Sequence, residues 1–285
     1  MLRGLERLDA TTKVLQRARH VEPVRGMWEA ADIQWWWRRP RETDDLALPV
    51  WFDDYGPVAA AGLTSWEGRW QVDAFAVPST VSREEVWTAA LEVATRDRDN
   101  ALEMLVNQED ELLIGLAVSS GFIVTKELSG TAWLDAAQRP PVVQIDGFTI
   151  VDRVTRSDSP HPMTARNGEL VEQRLRQCSL YDATLDLAVM DAGGKVVGYG
   201  LFWADPTTRV GLTEPMRVED EYQRRGLGRM LLTYGIDRLA NRAVRRLKIG
   251  FVTDAARNLY LDVGFHQTSV DQLLTRSPAS PPIWI

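Results

Sequence analysis

The sequence predicts an α/β (α+β) chain of two tandem units, each a mixed, mostly antiparallel sheet flanked by helices. Three observations predict it. One order of elements (hairpin, third strand, long helix, strand, short helix) runs twice along the 285 residues. Both passes close on a Gly-Phe pair, Gly121-Phe122 and Gly264-Phe265, which stand 143 positions apart, half the chain. Two adjacent prolines, Pro140-Pro141, separate the passes at a point where neither a helix nor a central strand continues. The units are therefore expected at residues 1–137 and 146–285, with a linker at 138–145.

Taken in order, Leu2, Leu5 and Leu8 have helical spacing and are expected to pack either on the body of the protein or on a second subunit. Trp28 and Trp35 to Trp37 are expected in one helix that Pro40 ends. Three adjacent residues cannot share a helix face, so at least one of these tryptophans is expected to point to solvent, the other unit or a ligand. With Arg38 and Arg39 they form either an acceptor wall or a packed seam. Val50–Phe52 and Val58–Leu63, split by Asp53-Asp54-Tyr55-Gly56-Pro57, predict a hairpin, and Trp70–Val77 a third strand. A helix over Val81–Ala94 follows, with Ser82 and Glu85 in capping-box register. Leu102–Val106 then reads as a strand and Glu111–Val118 as a short helix.

The second pass repeats the pattern. Leu185–Met190 and Val196–Trp203 flank the turn Asp191-Ala192-Gly193-Gly194-Lys195, and Val210–Val218 is a third strand. Leu227–Val244 carries apolar residues at helical spacing, Leu247–Val252 is a buried strand, and Ala255–Asp262 is a short helix.

Composition narrows the function classes. Lys and Arg number 33 against 40 Asp and Glu, a net charge of −7, which is the wrong sign for a non-specific nucleic-acid binder. No run approaches the roughly 20 apolar residues of a membrane span, and Met1–His20 has no apolar core of a secretory signal. The lone Cys178 forbids an internal disulfide and fits a cytoplasmic protein, in which it is expected to be a buried apolar filler. His20, His161 and His266 lack zinc-site spacing, so no metal is expected. Nothing in the sequence decides the oligomeric state.

The chemistry concentrates in Gln223-Arg224-Arg225-Gly226-Leu227-Gly228-Arg229, between a strand and a long helix. A helix N-terminus exposes unpaired N–H groups, glycines admit a bulky anion to that backbone, and arginines add charge and donors. The reading is a phosphate or pyrophosphate site. The loop is not a P-loop, since no Gly-Lys-Ser/Thr follows, nor a dinucleotide fingerprint, since Leu231 stands where a third glycine would. These departures count against an ATP or NAD protein.

Gln223, Gly226 and Gly228, followed by Ala256, Leu259, Tyr260, Gly264 and Phe265, resemble the GNAT superfamily of acyl-CoA-dependent N-acyltransferases. The resemblance covers residues 146–275 well and the first half more weakly; the whole chain is similar to bacterial tandem-GNAT proteins, the arrangement also found in mycothiol synthases. It implies acetyl-CoA as cosubstrate, with Gln223 to Arg229 holding the pyrophosphate through backbone N–H groups and Arg224, Arg225 and Arg229 supporting it. Met216, Arg217 and Val218 would pair with the pantetheine arm and polarise the thioester carbonyl. Tyr260 would protonate the departing thiolate. Where members often carry Asn, seven residues before this tyrosine, stands Thr253; Asn258, out of that register, joins the CoA-binding candidates.

An amine nucleophile must lose a proton, and Glu214 is the candidate base; alternation places it on the side of Met216 and Val218 if no bulge intervenes. The first pass has neither glycines nor arginines in Val77–Ser82, and Ala117 stands where Tyr260 does, so it is expected to be a degenerate copy that binds no CoA. The expected activity is acetyl transfer from CoA to a primary amine, of a small molecule rather than a protein, in a ternary complex. The alternative is a non-catalytic acyl-CoA-binding sensor or regulatory module.

Overall fold

The computed structural model describes residues 1–96 and 100–278. The chain forms two compact units, and neither is a continuous stretch: Met1–Ala30, Arg41–Leu128 and Val270–Ile285 make the first, Ala31–Pro40 and Ser129–Ser269 the second. This differs from the sequential division at 1–137 and 146–285. The cause is strand membership, because each sheet takes a strand from beyond the expected boundary.

In the first unit, α1 (Gly4–Val21) precedes β1 (Val50–Asp53), β2 (Gly56–Trp66), β3 (Arg69–Ala76), α3 (Arg83–Thr95), β4 (Leu102–Asn107) and α4 (Glu111–Ser119). Neighbours β1, β2 and β3 are antiparallel, as the hairpin turns dictate. Strand β4 runs parallel to β3 after the α3 crossover. Its other neighbour is the end of the last strand, β11 (His266–Arg276), with Asn107 opposite Asp271 and Leu102 opposite Arg276. Leu63, Val72, Trp87, Met104, Phe122 and Leu274 belong to one core.

Leu5 is 45% exposed and Leu2 and Leu8 are half-buried, while α1 buries Thr11, Val14, Leu15 and Arg19, the last paired with Glu29. One local expectation fails here. Ser82 caps α3 without a side-chain hydrogen bond, and Glu85 accepts from Trp51 Nε1 at 2.8 Å, so no capping box forms.

In the second unit, α2 (Ala30–Trp36) is followed by the end of β5 (Ile123–Asp135), β6 (Phe148–Asp152), α5 (Thr164–Asn167) and α6 (Val171–Leu175). Then come β7 (Asp186–Asp191), β8 (Val196–Ala204), β9 (Val210–Val218), α7 (Leu227–Ala240), β10 (Arg246–Phe251) and α8 (Asp254–Val263). The sheet order is β5-β10-β9-β8-β7-β6, antiparallel throughout except the β9–β10 pair that α7 bridges. Leu187, Phe202, Leu231, Ile236, Leu247, Tyr260 and Phe265 share its core.

The expected linker is anchored to this unit. Ala136 N–H donates to Arg245 O at 2.9 Å, Arg139 Nε to Asp237 at 3.0 Å, and Val143 N–H to Thr233 Oγ1 at 3.1 Å.

Trp28 departs from expectation: it precedes α2 and belongs to the first unit. Trp35, Trp36 and Trp37 belong to the second unit and are all buried, so none points to solvent. Trp37 leaves the helix and gives its Nε1–H to Gln177 at 2.8 Å; Arg38 lies 4.0 Å from the centre of the Trp35 ring and Arg174 3.5 Å from that of Trp37. Cys178 is buried as expected, and burial pushes its thiol up to about 12.

The duplication is visible bond by bond. Gly121 and Gly264 both have positive φ, +86° and +112°. Phe122 N–H reaches back to Ala117 O at 3.0 Å, and Phe265 N–H to Tyr260 O at 3.1 Å, so both short helices end in one hydrogen-bond pattern.

Candidate active site

Strands β9 and β10 are paired only from Val210–Arg246 to Leu212–Lys248. Beyond that, Thr213 to Val218 have no strand partner on their open side among the described residues, and Ile249 to Phe251 pair only with β5. The sheet therefore splits, which leaves backbone donors and acceptors of β9 unused.

A bulge shapes the lip of this split. Gly200 faces Met216 but Phe202 faces Thr213, so β9 carries an extra residue against β8. Pro215 lies in the bulge, where a missing N–H costs no ladder bond. The condition on Glu214 is therefore not met: alternation is broken between Glu214 and Met216. Met216 and Val218 pack on the core, while Glu214 faces Asp32, Arg38 and Lys248. Trp203 Nε1 donates to the Glu214 carbonyl at 2.8 Å and holds the bulge.

At the end of β9 the acidic run closes into ion pairs. Arg166 binds Glu219 through two bonds of 3.0 and 2.9 Å, Arg217 meets Asp220 at 3.2 Å, and Lys195 meets Glu221 at 2.5 Å. Gln223 Nε2 donates to Val218 O at 3.2 Å and Asp220 Oδ1 at 3.0 Å, which ties the loop to the strand. Gly226 has φ +82° at the start of α7; a Cβ there would be strained and would meet Ile145 Cδ1 at 2.8 Å. Among the described residues, the N–H groups of Leu227, Gly228 and Arg229 find no acceptor, and the first bond of the helix runs from Met230 N–H to Gly226 O. Gly228 lets α8 approach, since a Cβ would stand 3.2 Å from Leu259.

The three arginines behave differently. Arg224, at φ +59°, has no partner among the described residues. Arg225 lies 5.0 Å from the ring centre of Phe148 and 5.3 Å from that of Tyr222. Arg229 meets Asp262 at 3.3 Å on the surface. Leu227 is a core residue that offers only its backbone, and Asn258 is exposed on α8 with no hydrogen bond among the described residues. Thr253 caps α8 by accepting from Ala256 N–H at 3.2 Å.

Tyr260 is 7% exposed, between Phe251 and Phe265 at ring distances of 6.5 and 6.3 Å. Gly130 on β5 makes room for this stack, since a Cβ there would overlap the Phe251 ring. The Tyr260 hydroxyl has no hydrogen-bond partner among the described residues. Burial, with the Glu214 charge adding, pushes it up to about 12. Burial and Asp32 push the Glu214 carboxyl up to about 8, against the attraction of Arg38 and Lys248. Arg38, desolvated, falls to about 10. The charge of Glu214 is felt at Tyr260, and Asp32, Arg38 and Lys248 act on Glu214, three residues that sequence reasoning missed. Lys248 was the findable one, a charge inside an apolar strand.

The first unit keeps a reduced version. Strands β3 and β4 pair only over Trp70–Leu102 and Gln71–Glu103, and Asp73 stands two residues past the last pair, as Glu214 does past Leu212. There is no bulge between β2 and β3, and the Asp73 carboxyl is taken by Trp28 Nε1 at 3.0 Å and Gln71 Nε2 at 2.8 Å. Ala117 fills the place of the tyrosine.

The site is thus a split parallel strand pair beside a helix whose first N–H groups are open, a geometry in which an anion is favoured. Residues 152–265 match the model of the Acetyltransferase (GNAT) family. Solved structures share the fold at low identity. A tandem GNAT protein from the clavulanic acid biosynthesis pathway is 16% identical with a TM-score of 0.66, covering 97% of this chain and 96% of its own. A GCN5-related N-acetyltransferase from Sphaerobacter thermophilus is 14% identical with a TM-score of 0.60, covering 98% and 96%. One from Kribbella flavida is 14% identical with a TM-score of 0.54, covering 88% and 94%. No curated protein matches in sequence. Among the described residues no helix is long and apolar enough to cross a membrane, and no group of three or more His, Cys, Asp or Glu is placed to hold a metal ion.

Proposed function

We propose that the chain is an acetyl-CoA-dependent N-acetyltransferase that delivers an acetyl group to a primary amine by direct attack in a ternary complex. The observation that carries this reading is the split between β9 and β10 running up to the open N–H groups of α7. A pyrophosphate would be held by the N–H groups of Leu227, Gly228 and Arg229, with Arg224, Arg225 and Arg229 supplying charge. The open side of β9, from Met216 to Val218, would take the amide-bearing arm and turn donors toward the carbonyl. The bound thioester supplies an activated acyl carbon.

Glu214 takes a proton from the acceptor ammonium and passes it to solvent; the freed amine then forms the C–N bond as the C–S bond breaks, and the nitrogen gives up its second proton to the Glu214 carboxylate, leaving a neutral amide. Tyr260 gives its proton to the departing sulfur, which leaves as a thiol, and recovers one from solvent. A phenol held up near 12 stays protonated at neutral pH, the state an acid needs. The acceptor is taken to be a small molecule, with neither nucleic acid nor membrane as partner, and the site of action cytoplasmic. Net charge −7 and the single cysteine support these last points.

The test is a panel of aliphatic amines, amino sugars and amino acids with acetyl-CoA, following thiol release and product mass. Equal amounts of CoA and acetylated amine are expected. Binding of acetyl-CoA with no turnover of any amine would replace this reading with that of a non-catalytic acyl-CoA-binding module.

A further inference from the structure

Trp203 is fully buried near the end of β8 and pairs with Leu212 of β9. Its neighbour Phe202 fills the core that α7 covers, so the Trp203 ring lies on the other face of the sheet. Alternation from Leu212 brings Glu214 to that same face. The bulge leaves Glu214 and Pro215 in no ladder pair among the described residues, because the register steps from Gly200–Met216 to Phe202–Thr213. In place of a ladder bond, the Glu214 carbonyl accepts from Trp203 Nε1 at 2.8 Å. This donor comes from a side chain above the sheet. It therefore tilts the Glu214 peptide out of the sheet plane and sets the direction in which the carboxyl leaves the strand.

The indole is itself seated. Its ring meets that of Tyr181 edge-on, with centres 6.4 Å apart at 65°. The Tyr181 hydroxyl donates to Asp186 Oδ2 at 2.9 Å, and His161 Nε2 stands 2.8 Å from the same oxygen. His161 Nδ1 accepts from Met163 N–H at 3.2 Å, so the ring proton lies on Nε2, which donates to Asp186. His161 and Asp186 are buried, and Asp186 opens β7 opposite Leu201 of β8. The transfer chemistry leaves this network unused, yet it orients the tyrosine against which the indole rests.

Resting on the acetyl-transfer reading, we propose that Trp203 is the positioning residue for Glu214, holding the bulge so that the carboxyl meets the acceptor nitrogen, and that Tyr181, Asp186 and His161 seat Trp203. A general base acts only within hydrogen-bond reach of its proton, so a misplaced carboxyl costs rate and leaves donor binding untouched. The indole N–H is spent on a backbone carbonyl, and its effect passes through Glu214.

The test is a double-mutant cycle in the full-length protein, with an aliphatic amine that the wild type acetylates. Trp203→Phe keeps an aromatic ring and removes the donor. It is expected to lower kcat about tenfold or more, with the calorimetric Kd for acetyl-CoA within about threefold. In the Glu214→Gln background the same substitution is expected to change kcat by less than about threefold. Tyr181→Phe deletes only the hydroxyl that binds Asp186; it is expected to give a smaller loss with the same dependence on Glu214, and it serves if Trp203→Phe does not fold. An equal loss in both backgrounds is the mark of a merely structural indole and overturns the proposal. An unchanged kcat in Trp203→Phe overturns it too, and an unchanged kcat in Tyr181→Phe overturns the seating role. The transfer reading stands after any of these results. A wild type that binds acetyl-CoA and turns over no amine overturns that reading instead, and the positioning role with it.

Discussion

Replacing Tyr260 with Phe removes one hydroxyl and leaves the ring. The ring carries the packing against Phe251 and Phe265, and the hydroxyl has no hydrogen-bond partner among the described residues. Stability should therefore hold within about 1 kcal/mol, because no hydrogen bond within the protein is lost. Catalysis should not hold. A positioned general acid contributes about 10²–10⁴ in rate, or about 3–5 kcal/mol at 1.36 kcal/mol per decade. The assay is thiol release at saturating acetyl-CoA and amine, with calorimetric Kd and Tm measured on the same preparations. The expected result is kcat down by about 10² or more, with acetyl-CoA Kd within threefold and Tm within a few degrees. A kcat within threefold of wild type would refute the acid role, and a large drop in Tm would show a structural hydroxyl instead.

Other outcomes follow from the same geometry. Activity should rise with pH through about 8 as Glu214 ionises, and Glu214→Gln should abolish that limb. Because the folded-state value of Glu214 is raised, its contribution to stability is present below the usual carboxylate range and lost as pH rises through about 8. Thermal melts should therefore favour Glu214→Gln over wild type increasingly from about pH 5 to about pH 8 and level off above it; parallel curves across that window would count against a buried, raised carboxyl. Arg229→Ala breaks only an exposed pair with Asp262, so it should cost less than about 1 kcal/mol of stability, yet weaken acetyl-CoA about tenfold by titration. Cys178, buried with its thiol near 12, should react with a disulfide reagent only on unfolding; rapid labelling of the native protein would contradict its placement.

The local elements were legible because their signals are local. Strand β9 was expected and found at Val210–Val218, and α7 starts at Leu227 as its glycines imply. That helix stops at Ala240 rather than Val244, since Asn241 and Arg242 turn the chain and Ala243 has φ +58°. The exchange of β5 and β11 into sheets beyond the expected boundary left no mark, because pairing across more than a hundred residues depends on both partners at once. For the site, glycines, arginines and Tyr260 carried the pattern. The bulge was signalled by Pro215 inside a central strand, and the alternation applied to Glu214 passed over it. Asp32 was hidden among tryptophans, and no sequence spacing links it to a strand residue 182 positions away.

Calorimetric titration of acetyl-CoA into wild type and Gly226→Glu tests the central claim most directly. The substitution forces a side chain into φ +82° against Ile145 and sets a carboxylate among the open N–H groups. One molecule bound per chain by wild type, and none by the variant, is the predicted result. Two molecules per chain, or binding that the substitution leaves intact, would contradict a donor site at the start of α7.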